Sequence, residues 1–265
     1  MDSDAVQDRL RFALVLADEV AARILRAYSP LGVRFDTKSD GTPVTVADRD
    51  AEAHIRSRVE RAYPGDAFLG EEFGEGAGSS GFRWIVDPID GTKSFVAGVP
   101  LFGTLIGLER NNRCVAGVIH LPVLNEQVYA AATEGCWHRV ADGAPRRVRV
   151  SNVPCLAEAT TVMSSPGCLC RNGSLATMEQ LAKGSRLLRG WGDCFGYAMV
   201  ATGRAEAAID QRVAIWDVAA LVPIITEAGG ELTDWSGTPG HHITSCVATN
   251  ARVHPEVLAI LKQRA

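Results

Sequence analysis

The amino-acid sequence predicts an α/β fold made of two halves that meet near residue 150. Three observations support this prediction. Apolar residues recur at helical spacing near the N-terminus, short β-type segments with hairpin turns follow, and helices alternate with strands after residue 150. Because no repeat or low-complexity linker divides the halves, we expect residues 1–150 and 151–265 to form one compact unit.

Two amphipathic helices are predicted first. Apolar residues step by threes and fours from Val6 to Tyr28, and Ser29-Pro30 ends this pattern. Thr45 and Asp48 have the spacing of a capping box, which indicates that the second helix begins there and runs to a turn at residues 63–66.

The remainder of the first half favours β structure. Residues 68–81, "FLGEEFGEGAGSSG", are predicted to be a loop from their composition. The predicted strands are Arg83–Val86, Thr104–Leu108, Cys114–His120 and Gln127–Ala131. Glycine and asparagine between these strands favour hairpins, and therefore an antiparallel sheet.

In the second half, strands and helices are predicted in turn. The strands are Thr160–Ser164, Ala205–Ile209, Glu231–Thr233 and one in residues 243–250; the helices are Leu175–Ala182, Cys194–Thr202, Trp216–Ala228 and one in residues 254–263. Pro223 lies inside the third helix, where it removes a backbone hydrogen bond and should bend the helix.

The composition is that of an ordinary globular protein. Of 265 residues, 46% are hydrophobic and 22% are charged, and the formal net charge is −4. This charge does not suit a dedicated nucleic-acid binder, so no nucleic-acid partner is expected. If such a protein acts on a phosphate, it must concentrate positive charge locally, by a metal ion or a helix dipole.

The sequence also indicates the cellular compartment. The N-terminus, "MDSDAVQDRLRF", is too acidic for a signal peptide, and no apolar run approaches the ~20 residues of a membrane span. The seven cysteines show no zinc-type pairing, and the C-x-C of Cys168 and Cys170 lacks a second pair. We therefore expect a cytoplasmic protein with free thiols and no membrane partner.

Acidic residues border apolar segments at three places. Asp87 and Asp90 follow a predicted buried strand, Glu71 and Glu72 lie in "LGEEFG", and Asp217 lies in the first turn of an apolar helix. Each has a simpler explanation on its own: a turn, a solvated loop or a helix-dipole partner. Together they form an oxygen-only ligand set without cysteine or histidine, which suits a hard cation such as Mg²⁺.

The residues after Asp90 favour an anion. Gly91 permits close approach of the backbone to a ligand, and Thr92-Lys93-Ser94-Phe95 can open a short helix whose free N–H groups point at a phosphate. Carboxylates for a metal beside amides for a phosphate predict metal-assisted hydrolysis of a phosphate ester.

These motifs, "GEE" at 70–72, "DPIDGT" at 87–92 and "WD" at 216–217 followed by "EAGG", resemble those of the inositol monophosphatase family of Mg²⁺-dependent, lithium-sensitive phosphatases. The resemblance extends from "TPVTVADRDAE" to "VATN", nearly the whole chain. It implies a layered αβαβα sandwich of the inositol monophosphatase and fructose-1,6-bisphosphatase type, a site between the two halves, and a homodimer.

The resemblance also implies a ligand set for two or three Mg²⁺ ions. Glu71 and Asp87 would hold one ion together with the backbone carbonyl of Ile89. Asp87 would bridge to a second ion that Asp90 and Asp217 complete.

Roles in catalysis are implied in the same way. Thr92 and Glu71 would orient a metal-activated water for in-line attack, with Asp48 supporting Thr92 from behind. The amides of Gly91 and Thr92 would bind the phosphate, and Glu71 and Asp217 would also face the substrate.

The segment "LRGWGDCFGYAMVATGRAEAAID" resembles the histidinol-phosphate phosphatase branch, in which "GD" precedes an aromatic-glycine-aromatic run. Inositol-specific members more often carry small residues in place of Asp193-Cys194 and a glutamate in place of Asp210. Histidinol phosphate carries an ammonium and an imidazole, so a pocket with Asp193 and Asp210 would favour it over a neutral polyol. Arg189 would reach the phosphate or the ring, or be a surface charge.

Other functions remain open from sequence. The same site would serve an inositol-1-phosphate phosphatase or a broad-specificity sugar phosphatase; nucleotide 3′-phosphates and fructose bisphosphate rank lower because no extra basic cluster is evident. A non-catalytic regulator on the same fold predicts a degraded set of metal-binding acids or a basic exposed surface. His241 and His242 are expected in a solvated loop, and His120 in a sheet.

Overall fold

Two β-sheets with helices between and around them form the framework of the protein. The computed structural model describes residues 3–39, 41–165, 167 and 175–263. The first sheet has eight strands and the second has five, and a two-stranded ribbon of β1 (Asp36–Thr37) and β2 (Pro43–Val44) lies apart from both. Cys168 and Cys170 lie outside the described residues.

The first sheet has the spatial order β10-β9-β8-β7-β6-β5-β3-β4. Its strands are β3 (Ala67–Gly70), β4 (Gly74–Gly76), β5 (Phe82–Asp90), β6 (Gly103–Arg110), β7 (Arg113–Leu121), β8 (Glu126–Ala131), β9 (Gly135–Val140) and β10 (Arg146–Val148). All neighbouring pairs are antiparallel, as predicted, except β3 and β5, which are parallel. The predicted strands are confirmed and are longer than expected.

The prediction that residues 68–81 form only a loop is wrong. Phe68 and Leu69 pair with Trp84 and Ile85 of β5, and the Phe68 side chain is buried. The glycine-rich composition conceals this strand because its stability comes from a neighbour in space rather than from local propensity.

Two helices, α1 (Ser3–Ala27) and α2 (Val46–Ala62), cover one face of this sheet. Their buried stripes share a core with the sheet, including Leu16, Ile55 and Trp84. The capping box at the start of α2 is confirmed, since the Thr45 backbone N–H donates to Asp48 Oδ2 at 2.7 Å and the Thr45 hydroxyl accepts from the first turn.

The second sheet has the order β12-β11-β13-β15-β14. Its strands are β11 (Thr160–Met163), β12 (Leu187–Arg189), β13 (Ala207–Asp210), β14 (Glu231–Thr233) and β15 (Cys246–Thr249). β11 is parallel to both neighbours, and the remaining pairs are antiparallel.

The other described helices are short. They are α3 (Thr92–Val96), a 3₁₀ turn (Leu156–Glu158), α4 (Leu175–Gly184), α5 (Asp193–Ala201), α6 (Ile215–Val218), α7 (Leu221–Glu227) and α8 (His254–Leu261). The helix predicted at Trp216–Ala228 is therefore two helices. Because Pro223 has no N–H to donate to the carbonyl of Ala219, the helical ladder is interrupted at this junction.

The hydrophobic cores show how the sheets and helices are layered. A central core joins α5 and α7 to both sheets, including Leu105, Tyr197, Ile224 and Ala248. A third core packs α4 and α8 on the outer face of the second sheet. The order is thus helices, sheet, helices, sheet, helices, and the αβαβα sandwich is confirmed. None of the described helices is long and apolar enough to cross a membrane.

The middle helices lie very close to the first sheet. A Cβ on Gly107 of β6 would come within 2.9 Å of the carbonyl carbon of Ala219, at the α6–α7 junction. Glycine at this position lets α6, which carries Asp217, approach the end of β5.

Candidate active site

The site is built around the end of β5, where the strand carries two carboxylates. Asp87 and Asp90 pair with Leu105 and Gly103 of β6, with an irregular register between them. The Ile89 N–H donates to Asp87 Oδ1 at 3.0 Å, and the Thr104 hydroxyl donates to the Pro88 carbonyl at 2.8 Å. These bonds hold the strand end in one conformation.

Asp217 joins this pair from the start of α6. Carboxylate oxygens of Asp87, Asp90 and Asp217 all lie within 4.8 Å of one another. The Ala214 N–H donates to Asp217 Oδ2 at 2.7 Å, which fixes the Asp217 side chain at the first turn of α6. The structure therefore brings together acids separated by more than a hundred residues in sequence.

The charge of this cluster is not balanced within the described part of the chain. Burial, and then the charges of Glu71 and Asp90, raise the pKa of Asp87 well above its usual range. Burial and then Asp193 raise the pKa of Asp90, and burial raises the pKa of Asp217 to about 7. Buried carboxylates that repel one another and offer only oxygen fit a hard divalent cation.

Glu71 reaches the cluster because β3 is parallel to β5. Gly70 pairs with Val86, and the Glu71 N–H donates to the Val86 carbonyl at 3.3 Å, so Glu71 stands beside Asp87. The buried Glu52 of α2 accepts hydrogen bonds from the backbone N–H groups of Glu72 and Phe73, at 2.6 and 3.0 Å. Glu52 thus fixes the turn that presents Glu71.

Lys38, which sequence reasoning missed, also contacts these acids. Its Nζ donates to Glu71 Oε1 at 2.7 Å and to Glu72 Oε1 at 2.6 Å. Burial alone would lower the pKa of Lys38, but hydrogen bonds to the two glutamates outweigh burial and raise the pKa. In the sequence, "DTKSDGTP" appeared only as a polar spacer between helices, with nothing to pair Lys38 with residues far along the chain.

Gly91 and Thr92 form the turn between β5 and α3. Gly91 has a φ of 82°, a left-handed conformation that favours glycine. The Thr92 hydroxyl donates to the Ile89 carbonyl at 3.0 Å, while Asp48 Oδ2 accepts from Thr45. Among the contacts of the described residues there is no Thr92–Asp48 hydrogen bond, so the support of Thr92 by Asp48 stays a prediction.

Asp193 lies over this turn, on the other half of the chain. A Cβ on Gly91 would lie 3.2 Å from Asp193 Oδ2. The Asp193 backbone has a φ of 52°, and its N–H donates to the Ser164 hydroxyl at 2.8 Å. Burial, and then the charge of Asp210, raise the pKa of Asp193 to about 6, while Lys93 opposes this rise.

Asp210 lies behind Asp193. Its Oδ1 accepts from the Ser164 hydroxyl and its Oδ2 accepts from the Tyr197 hydroxyl at 2.8 Å. Burial raises the pKa of Asp210. Both oxygens are therefore engaged by neutral donors, which position the carboxylate but leave its charge uncompensated.

Arg189 lies at the end of β12, and its side chain is exposed. Its Nη1 donates to the Leu188 carbonyl at 2.9 Å. No hydrogen bond or ion pair links Arg189 to the carboxylates in the part of the chain that the structure describes.

The sequence is similar to those of known proteins along nearly its whole length. The sequence profile of the Inositol monophosphatase family matches residues 5–264. A histidinol-phosphatase of Mycobacterium tuberculosis is 41% identical over 96% of this chain and 98% of its own. One of Streptomyces coelicolor is 38% identical over 97% of this chain and 98% of its own. A fructose-1,6-bisphosphatase/inositol-1-monophosphatase of Thermotoga maritima is 30% identical, over 97% of this chain and 96% of its own.

Solved structures agree with these sequence matches. The extragenic suppressor protein suhB of Bartonella henselae superposes with a TM-score of 0.88 at 29% identity, covering 97% of this chain and 100% of the other. An IMPase of Thermotoga maritima superposes with a TM-score of 0.86 at 28% identity, covering 97% of each chain.

Proposed function

This chain belongs to the inositol monophosphatase family, and we propose that it hydrolyses L-histidinol phosphate to L-histidinol and inorganic phosphate, with Mg²⁺ as its cofactor. Family membership makes the chain a phosphatase that acts on a small phosphorylated molecule, and it confirms the resemblance found in the motifs. The substrate assignment is supported by the histidinol-phosphatases that align along the chain, and would place the reaction in histidine biosynthesis.

The proposed metal ligands are the residues that meet at the end of β5. Two or three Mg²⁺ ions would be held by Glu71, Asp87, the Ile89 carbonyl, Asp90 and Asp217. When bound, Mg²⁺ supplies the positive charge that acidifies the attacking water and stabilises the leaving oxygen.

The chain's own groups bind and orient the reactants. The N–H groups of Gly91 and Thr92 would hold the phosphate, because they lie at the left-handed turn that opens α3. Glu71 and Thr92 would orient the attacking water on the side opposite the leaving oxygen. Asp48, buried at the start of α2, would support Thr92 from behind.

One observation carries the choice of substrate: Asp193 lies beside Gly91 with the buried Asp210 behind it, and no cation among the described residues forms an ion pair with either carboxylate. Lys93 is the positive charge that opposes the pKa rise of Asp193. A substrate with an ammonium and an imidazole, which becomes cationic when protonated, would supply the missing charge, whereas a neutral polyol would not. Asp217 would also face the substrate, and Arg189 would approach from the rim.

A second candidate is a phosphatase of inositol 1-phosphate or of sugar phosphates. The 30% identity to the fructose-1,6-bisphosphatase/inositol-1-monophosphatase of Thermotoga maritima favours it. A non-catalytic regulator is less well supported, because Glu71, Asp87, Asp90, Thr92 and Asp217 are all in place. We also propose that the protein is a homodimer, which sedimentation of the purified protein would test.

The deciding experiment compares phosphate release from L-histidinol phosphate and from inositol 1-phosphate in Mg²⁺, as kcat/KM. We expect a preference for L-histidinol phosphate of about a hundredfold, or ~2.7 kcal/mol of differential transition-state binding. A preference for inositol 1-phosphate would overturn the substrate assignment and leave the proposed metal site standing. Release from neither ester would overturn both candidate substrates.

A further inference from the structure

A second cluster of metal-binding side chains lies far from the active site. Glu109, His241 and His242 each offer a ligand atom, and these atoms all lie within 4.8 Å of one another. Glu109 is near the end of β6, six residues from Gly103, which pairs with Asp90. At about 3.4 Å per strand residue, the cluster is roughly 20 Å from the active-site carboxylates.

The histidines come from the loop between β14 and β15, so the cluster joins two distant parts of the chain. His241 Nε2 lies 2.7 Å from Glu109 Oε2, and His241 and Glu109 are 5% and 7% exposed. The expectation that His241 lies in a solvated loop is therefore wrong, because this contact with β6 buries it. His242 is exposed, as expected, and its Nε2 lies 3.0 Å from Asn112 Oδ1.

The two imidazoles lie on the same side of the loop although they are neighbours in sequence. Their ring centroids are 4.2 Å apart, with 40° between the ring planes. The β6–β7 turn holds the other side of the cluster: Asn111 and Asn112 have φ of 50° and 62°, which directs Asn112 toward His242. Two nitrogen ligands from the β14–β15 loop and one carboxylate from β6 thus meet next to the β6–β7 turn.

We propose that Glu109, His241 and His242 bind a borderline divalent transition-metal ion, of which Zn²⁺ is the best match. Two histidines and a glutamate with one open position form a known zinc ligand set. Imidazole suits Zn²⁺ and its neighbours, whereas Mg²⁺ prefers oxygen, so this site and the acidic site select different ions.

The geometry needs only small changes to accept the ion. Ligand atoms at ~2.0–2.1 Å from a tetrahedral zinc lie roughly 3.3 Å from one another. The Glu109–His241 pair would open from 2.7 Å, and the exposed His242 would turn inward from Asn112. Both movements are side-chain rotations on a fixed backbone.

The positive charge of Arg83, next to Glu109, disfavours binding of a cation at the proposed zinc site. Arg83 Nη2 donates to Glu109 Oε2 at 2.8 Å, and Arg83 Nη1 lies 3.7 Å from Glu75. Two carboxylates therefore share one guanidinium, which does not neutralise both of them. Glu109 Oε1 accepts no hydrogen bond from any described residue, so this oxygen is available to the ion while Oε2 keeps Arg83.

The test is zinc binding by the full-length protein in excess Mg²⁺, which occupies the acidic site. We expect one equivalent of Zn²⁺ to remain after dialysis, measured by elemental analysis. The His242→Ala variant should bind Zn²⁺ at least tenfold more weakly. This side chain is exposed, so the substitution leaves folding intact, as the melting temperature without zinc will verify. Cobalt should give the visible bands of a four-coordinate site in the wild type and lose them in the variant.

Two controls separate this site from others. His54→Ala removes a partly buried histidine whose partner is Glu19, and should leave zinc binding unchanged. Asp90→Asn should also retain the zinc. Equal zinc affinity in wild type and His242→Ala, or loss of zinc in Asp90→Asn, would overturn the proposal, and so would loss on substitution of Cys114, the β7 partner of Glu109. None of these readouts depends on which ester the enzyme hydrolyses.

Discussion

The backbone N–H of Cys194 donates a hydrogen bond to Asp90 Oδ2, although the two residues are 104 positions apart. Cys194 is in the first turn of α5, next to Asp193, and Asp90 belongs to the carboxylate cluster at the end of β5. This bond couples the segment that would recognise the substrate to the residues that would hold the metal. A shift of either one would change the distance between the reacting phosphate and the group that distinguishes one ester from another.

Asp90→Asn should abolish most activity while the protein stays folded. Asparagine still accepts the bond from Cys194 but removes a charge from the cluster, so repulsion falls and metal affinity falls with it. We expect a loss of about a thousandfold in kcat/KM, or ~4 kcal/mol. In the wild type, Mg²⁺ should raise the melting temperature by mass action, and this rise should shrink in the variant.

Asp50→Asn is the matched control, because Asp50 is an exposed carboxylate paired with Arg23. It should leave both activity and the Mg²⁺ effect unchanged. Full activity of Asp90→Asn would contradict the metal assignment.

Asp193→Asn tests the substrate assignment by removing a charge at constant shape. Asparagine tolerates the left-handed backbone at position 193, where φ is 52°. If Asp193 faces a cationic substrate, the preference for L-histidinol phosphate over inositol 1-phosphate should fall about tenfold, ~1.4 kcal/mol. Measurement of kcat/KM for both esters decides this, and an unchanged ratio would remove Asp193 from substrate recognition.

Asp193→Ala separates charge from backbone effects at the same position. Alanine also lacks the charge, but it is strained at this φ by roughly 1–3 kcal/mol. We therefore expect the alanine variant to unfold at a lower temperature than the asparagine variant, with a similar loss of preference. Equal melting temperatures would show that the backbone at Asp193 relaxes.

Glu52→Gln should affect the site without touching a ligand. Both Glu52 oxygens accept backbone N–H groups from the turn after Glu71, and an amide can accept at only one of its two positions. One buried N–H loses its partner, which costs about 1–3 kcal/mol of unfolding free energy. Because the turn presents Glu71, the Mg²⁺ concentration for half-maximal activity should rise.

The exposed Glu60 lies on the same helix and provides the comparison for Glu52. Glu60→Gln should change neither the denaturation midpoint nor the Mg²⁺ dependence. If Glu52→Gln behaved like Glu60→Gln, Glu52 would have no positioning role.

The hydrogen bonds of Asp66 predict that the protein loses unfolding free energy in acid. Burial alone would raise the pKa of Asp66, but hydrogen bonds from Arg9, Ser80 and Trp84 outweigh burial and lower it. A carboxyl whose pKa is lower in the folded state stabilises the fold above its unfolded pKa, and this contribution disappears as pH falls through the folded value. The unfolding free energy should therefore decline below about pH 4, near the unfolded value for aspartate.

Asp66→Asn should flatten this decline and lower stability near neutral pH by about 2 kcal/mol, because bonds to a charged acceptor are lost. Urea unfolding at several pH values measures both effects. An identical pH slope in wild type and variant would assign the acid sensitivity to other groups.

Much of the fold could be read from local patterns. The stripe of α1, the capping box of Thr45 and Asp48, and the strands around Thr104–Leu108 and Cys114–His120 follow from periodicity and turn residues, which act over a few positions. Pro223 predicted a bend in a single helix. The sequence did not show that the helix would divide into α6 and α7.

Features that depend on distant partners were missed. Strand β3 forms because residues 67–70 pair with β5, and Lys38 is held by Glu71, 33 positions away. His241 is buried because it meets Glu109, 132 positions earlier in the chain. No local pattern encodes these contacts, since each is stabilised only once both segments are in place.

The sequence by itself determined the family, the alternation of helices and strands, and which acids stand at the ends of elements, because these depend on residue types and their spacing. The tertiary structure decided how those acids meet. The parallel pairing of β3 with β5 sets Glu71 beside Asp87, and the close approach of α6 at Gly107 brings in Asp217. The reason is physical: carboxylates that repel one another converge only where packing of the surrounding core outweighs their repulsion.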